Sequence, residues 1–234
     1  MPEPVQHVVR SYDQDLSHLR GLLVRMGNAV ESQVARAGKA VLELNPAAAA
    51  QAIEADPAVD VMERDIEQFV VRLLALRQPM AGDLRLIIGA LKASDDLERI
   101  GDYAANVAKR AIVLRQAAPN FTVSGLGYMT DLVQTNLHKM VAAVEGADAA
   151  MAADVWRADA AVDEVYNSVF RELITYMLEN PQNIAPCTHL LFVARNLERI
   201  GDHTTNVAET VYYAVTGEDL PGPRPKAEKD TYLP

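Results

Sequence analysis

The sequence predicts an all-α protein, built as two tandem three-helix bundle repeats with approximate internal two-fold symmetry. Three observations predict it. The hexapeptide LERIGD stands at 97–102 and again at 197–202, and the match continues into Asn106-Val107-Ala108 and Asn206-Val207-Ala208. Apolar residues recur every three or four positions along most of the chain, the spacing of a helix face. Alanine, leucine and valine dominate the apolar set while only 6% of residues are aromatic, a palette for close-packed helices rather than sheets.

The first stripe runs through Leu19, Leu22, Leu23, Met26, Val30, Val34, Ala37 and Val41. Ser11 or Asp13 is expected to cap it, and Asn45-Pro46 to stop it, because the residue before a proline avoids the α region. A second helix is expected from Asp56-Pro57, with Asp as N-cap and Pro at the first helical position, and Gln78-Pro79 interrupts it. A third runs from Gly82 or Asp83 to Gln116 and carries the first LERIGD. Pro119, Gly125 and Gly127 mark the passage to the second half. There the expected helices span Leu132–Met151, Ala160–Glu179 and Pro186–Thr216, the last with the second LERIGD. Val30-Glu31 aligns with Val144-Glu145, and Asp56-x-x-x-Asp60 with Asp159-x-x-x-Asp163. The offset falls from 114 to 103 to 100 along the repeat, so the second copy has the shorter connections. The units are placed at 10–118 and 126–216, and the Pro- and charge-rich 217–234 is expected to be a mobile tail.

A net charge of −10 with no Lys/Arg cluster argues against nucleic acid and anionic lipid as partners. The single cysteine, Cys187, allows no intrachain disulfide. The N-terminal stretch lacks a continuous apolar h-region and no apolar run is long enough to span a bilayer, so no membrane insertion and a cytoplasmic location are expected. P-loop, dinucleotide-binding and Cys/His zinc spacings are absent, and spacing supports no nucleophilic constellation, so no catalytic or organic-cofactor residues are assigned.

Positions four apart share a helix face. Glu98, Asp102 and Asn106 therefore line up, and Glu198, Asp202 and Asn206 repeat the line; Ser94 and Asp95 extend the first copy backward. Like charges at this spacing cost about 0.2–0.5 kcal/mol on an exposed helix, and Gly101 and Gly201 cost about 1 kcal/mol each inside a helix. Matched costs point to a compensating function. A glycine lets a helix or ligand approach closely, and a cation turns carboxylate repulsion into attraction. Paired carboxylates on facing helices hold metals in bundle proteins, and Asp60 and Asp163 of the middle helices are candidate partners. Two plainer readings stand beside this: a solvated acidic face, with Glu98 paired to Arg85 or Arg110, and Asp56 as a helix cap. His203 follows Asp202 where Tyr103 stands in the first copy, and Trp156 reads as an anchor between helices.

These strings resemble the PhoU family: ALRQPMAGDLRLI at 75–87, SDDLERIGDYAANVAK at 94–109, ENPQNI at 179–184 and RNLERIGDHTTNVAE at 195–209. The resemblance covers about residues 10–216. It implies metal ions (Mg, Mn, Fe or Zn) on the E(D)-x-x-x-D pairs Glu98/Asp102 and Glu198/Asp202, extended to Asp60, Asp163 and Asp95. Arg195 and Asn196 replace Asp95 and Asp96 in the second copy, so the two sites should differ in charge. The resemblance further implies a non-enzymatic adaptor, a homodimer that negatively regulates the phosphate-starvation response. Its implied partners are the ATP-binding subunit of the phosphate transporter and a membrane sensor histidine kinase. The alternative expectation is a carboxylate-bridged metalloenzyme or metal-storage bundle. It lacks the Glu-x-x-His spacing of diiron bundles, since Glu198 and His203 are five apart.

Overall fold

The computed structural model describes residues 4–117 and 121–225, with side chains from residue 12 onward. Its helices are α1 (Pro4–Leu42), α2 (Pro46–Arg77), α3 (Ala81–Ala117), α4 (Ser124–Gly146), α5 (Ala149–Glu179) and α6 (Ile184–Thr216), with a 3₁₀ turn at Pro181–Asn183. No strand occurs among the described residues. Pro119 lies outside them.

Several expected boundaries are corrected. α1 begins at Pro4 rather than at a Ser11 or Asp13 cap; no proline or glycine between Val5 and Arg20 interrupts it. α2 begins at Pro46, not at Asp56. Asn45-Pro46 both stops one helix and starts the next, because the Asn45 side chain accepts from the backbone N–H groups of Ala47 and Ala48, each at 3.1 Å. An alanine-rich first turn then carries the helix through Pro57. Asp56 is therefore a mid-helix residue and not a cap. In the second half α4 ends at Gly146 and α5 starts at Ala149, earlier than the expected Met151 and Ala160.

The two hairpin junctions are copies of each other at the 103-residue offset. Leu44 and Ala147 adopt left-handed backbone conformations, φ 49° and 48°. The next residues, Asn45 and Asp148, donate their N–H groups to Ala40 and Ala143 carbonyls at 3.0 Å. Their side chains then cap the following helix. One motif thus closes one helix and opens the next, satisfying orphan groups on both.

α3 and α6 form the most extensive helix pair. They run antiparallel, since Gly89 approaches Thr210, Asp96 meets His203 and Asn206, and Arg110 meets His189. α1 and α4 also join the halves: Glu31 bonds His138 at 2.9 Å, and glycines 27 and 38 face Val141 and Thr130. A methyl group at Gly38 would lie only 2.5 Å from Thr130 Cγ2. α2 packs on α1 and α3, and α5 on α4 and α6, so each middle helix is an outer wall of its own half. Leu97, Ile100, Leu197 and Ile200 are buried at the centre, each worth about 1.5–3 kcal/mol of burial. Their fixed positions set the direction of the acidic residues between them.

Candidate functional site

Each LERIGD copy directs its carboxylates at the middle helix of its own half. In the first half, burial holds the Glu98 carboxyl above its ordinary range, and Asp102 on α3 with Glu63 and Asp60 on α2 add to this against Arg99. The Asp56 carboxyl is likewise raised by burial, then by Asp102 and Asp60, while a hydrogen bond from Gln33 opposes the shift. Glu63 is raised by burial, Glu67, Asp95 and Asp60, which places Asp95 in the same field. Four of the expected residues, Glu98, Asp102, Asp60 and Asp95, thus border one α2–α3 face. Glu63 joins them and was not anticipated; its helical position beside Asp60, one turn on, was the available signal.

In the second half Glu198 is buried, and its carboxyl is pushed up to about 7 by burial and by Asp202, against Arg195 and Arg199, with Asp163 on α5 adding to the rise. Arg195 Nη1 donates to Glu198 Oε1 at 3.0 Å. Glu198 Oε2 is buried with no hydrogen-bond partner. The expected trio Glu198, Asp202 and Asp163 is therefore brought onto one α5–α6 face. Beside it lies Asp159, only 2% exposed, which accepts from Thr205 Oγ1 at 3.2 Å.

Sequence reasoning missed Arg224, in the segment expected to be a mobile tail. Its Nε donates to Asp159 Oδ2 at 2.8 Å. Its Nη1 reaches Asn206 Oδ1 at 3.3 Å. Its Nη2 lies 3.1 Å from both the Asp202 carbonyl oxygen and Asp202 Oδ1. Residues 226–234 of that segment lie outside the described residues. Lone basic residues among prolines carry no helical period, so no sequence signal marked Arg224 as a ligand of this cleft.

Both repeated glycines sit where the middle helix approaches. A methyl at Gly201 would meet Val162 Cγ1 at 3.4 Å and Asp159 Oδ1 at 3.8 Å, which is ordinary contact. At Gly101 it would meet Gln33 Oε1 at 3.1 Å, besides Val59 and Asp56. Close approach therefore accounts for Gly101 and not for Gly201. Gln33 is itself fully buried. Its Nε2 donates to Ala52 O, Asp56 Oδ1 and Gly101 O at 3.0–3.1 Å, tying α1, α2 and α3 together.

Between the faces, His203 Nδ1 and Asp96 Oδ1 are 2.7 Å apart, and the Tyr103 and His203 rings pack with centroids 5.6 Å apart. His203 thus turns toward α3, not toward the carboxylates of its own ridge. Glu98 approaches Arg99 at 3.8 Å, whereas Arg110 stacks on Phe192. Trp156 does anchor two helices, donating from α5 to Glu209 on α6 at 2.9 Å.

These faces can attract cations. Glu198 Oε2 makes no hydrogen bond, with Asp202 and Asp163 near it and Arg199 Nε 3.9 Å away, and it can still accept from a positive ligand. Among the described residues no three His, Cys, Asp or Glu side chains gather tightly enough to enclose an ion. An oxygen-only, open donor set of this kind suits a hard cation that keeps part of its water.

Fold and site together define a duplicated helical bundle with one acidic E-x-x-x-D face per half. The PhoU domain model matches residues 23–111 and 126–211, one match per repeat. The chain belongs to the PhoU family. It is 46% identical over 95% of its length, and 97% of the relative's, to the phosphate-specific transport system accessory protein PhoU homolog of Caulobacter vibrioides. To the homolog of Rhizobium meliloti it is 40% identical, covering 97% and 96% of the two chains. Among solved structures, it superposes on PhoU from Pseudomonas aeruginosa with a TM-score of 0.86 at 40% identity, over 88% of this chain and 100% of that one. The phosphate transport system regulatory protein PhoU from Streptococcus pneumoniae follows at 0.80 and 27%, over 89% and 99%. No helix among the described residues is long and apolar enough to cross a membrane.

Proposed function

We propose that this protein is an accessory regulator of phosphate transport: a non-enzymatic, cytoplasmic, homodimeric adaptor that restrains the phosphate-starvation response. In this reading its surfaces contact the ATP-binding subunit of the phosphate transporter and a membrane sensor histidine kinase. The observation that carries it is 46% identity to a phosphate-transport accessory protein across nearly the full length of both chains. Regulation works by population shift, which requires that the partners bind one state of the adaptor more tightly than another. Glu98, Asp102, Asp60 and Asp95 would hold a cation in the first half, and Glu198, Asp202 and Asp163 in the second. The ion supplies positive charge between facing helices; the protein's own part is to keep the carboxylates on rigid elements and Glu198 away from water.

The test is deletion of the gene with a starvation-gene reporter read in high phosphate, together with affinity capture of the tagged chain from cells. The expected result is derepression, with the transporter ATPase and the kinase retained on the tagged protein. An unchanged reporter would remove the regulatory role.

A further inference from the structure

We propose that Arg224 is a built-in plug for the second-half carboxylate cleft, so that docking of the 217–225 segment and cation binding at that cleft exclude one another. The inference rests on the cation reading above and adds to it a tail-gated difference between the halves.

All three guanidinium nitrogens are engaged. Nε is on Asp159 Oδ2 at 2.8 Å, Nη1 on Asn206 Oδ1 at 3.3 Å, and Nη2 on the Asp202 carbonyl oxygen and Oδ1, both at 3.1 Å. The Arg224 side chain is only 18% exposed. Asp159 is buried inside the fold, and a buried carboxylate calls for a counter-charge. A planar, permanently charged fork is well suited to that role. The guanidinium thus takes up Asp202 Oδ1, an oxygen that a cation held by Glu198, Asp202 and Asp163 would need, and lays a fixed positive charge beside that set. An acceptor without a hydrogen bond, Glu198 Oε2, remains on the same face, so the plug leaves the acidic field only partly compensated.

The first half shows the same cleft without the plug. Asp56, Asp102 and Asn106 stand in the positions of Asp159, Asp202 and Asn206. Among the described residues no arginine is ion-paired to Asp56 or Asp102. Asp56 instead accepts from Gln33 Nε2 at 3.1 Å. At the 103-residue offset of the hairpin junctions the counterpart of Gln33 is Asn136, which is also buried. The first cleft, with Lys109 near Asp56 but no arginine seated across it, is therefore the more open to a cation, and the second becomes open only when the tail departs.

The test uses the full-length, metal-stripped protein with Glu98→Gln and Asp102→Asn, which weaken the first half and isolate the second. Manganese(II) is titrated by the loss of its free electron-paramagnetic-resonance signal into this background, into the same background with Arg224→Gln, and into one with Arg224→Lys. Hydrogen exchange of the 217–225 amides is followed with and without the ion. The expected result is about tenfold tighter Mn²⁺ binding with Arg224→Gln and near-unchanged binding with Arg224→Lys. Mn²⁺ should also speed exchange at 217–225 when Arg224 is present, toward the rate of the Arg224→Gln protein. A purely structural arginine would loosen the segment on removal without tightening Mn²⁺. Equal affinity with Arg224 and with Gln, or exchange indifferent to Mn²⁺, overturns the plug and leaves the cation reading standing. No Mn²⁺ binding with either residue overturns both.

Discussion

Glu198→Gln is the sharpest probe of the second-half face. In the metal-free protein, burial and the neighbouring Asp202 raise the Glu198 carboxyl from its ordinary 4.5 to about 7. A folded-state pKa above the unfolded one means that folding favours the protonated acid. This group therefore costs nothing well below pH 4.5, costs progressively more as pH rises, and reaches a plateau above about 7. At about 1.4 kcal/mol per pH unit, the span between the two values is worth roughly 3 kcal/mol. Glutamine removes the ionisation while its carbonyl oxygen can still accept from Arg195, as Glu198 Oε1 does now. Its amide nitrogen adds donors where Oε2 makes no hydrogen bond, 3.9 Å from Arg199 Nε. Urea unfolding of both proteins in chelator should show the variant about 1 kcal/mol more stable at pH 5 and roughly 3 kcal/mol more stable at pH 8. Comparison at matched pH cancels every other titrating group. A difference that does not grow between pH 5 and pH 8, or a variant that is less stable at pH 8, would refute the account of Glu198 as a buried, under-compensated acid.

Three further outcomes are expected. Replacing Glu198 and Asp202 by Ala, or Glu98 and Asp102 by Ala, should each lower the bound metal of protein purified without chelator, as read by elemental analysis; content unchanged in both removes the carboxylate assignment. Gly201→Ala should stabilise by about 0.5–1 kcal/mol in thermal or urea melts, from helix propensity alone, because its methyl meets only ordinary contacts. Gly101→Ala should gain less or lose stability, because the methyl presses on Gln33 Oε1, and equal gains would contradict this asymmetry. Asp148→Ala should cost about 1 kcal/mol by loss of the α5 cap, a cost absent if the junction is held by its backbone bonds alone.

The helical class, the duplication and the buried stripes were legible because they repeat: LERIGD and its apolar flanks at an offset of 100 and the Asp-x-x-x-Asp pairs at 103, while α1 and α4 also match at 103 and not at the expected 114. The missed start of α2 came from treating proline as punctuation. Pro57 looks like a start signal, yet it lies in the fourth turn of a helix that opens with a capped alanine-rich turn and is carried by it. The repeat itself held the better clue, since Asn45 and Asp148 stand at the same 103-residue offset as Asp56 and Asp159, and both residues are good N-caps. For the site, periodicity placed the carboxylates on the correct faces. It could not show how deeply each is buried. That depends on neighbours far apart in sequence: Gln33 on Asp56, Arg195 on Glu198, and Arg224 on Asp159.

The two halves therefore share a motif and differ in electrostatics. In the first, the buried carboxylates are tempered by the Gln33 amide on Asp56, with Lys109 near Asp56 and Arg99 near Glu98. In the second, they are tempered by full positive charges, from Arg195 at position 195 where the first copy has Asp95, and from Arg224 supplied by the tail. Duplication alone would give two equivalent clefts that respond together to any cation. Substituting Arg195 for an acid, and covering the cleft with Arg224, lowers the negative field on one side only. If the proposed cation sites and plug hold, a bundle whose halves are packed through α3–α6 and α1–α4 would register a cation in the first half while the second stays closed, and a change in the tail would alter the second half without touching the first.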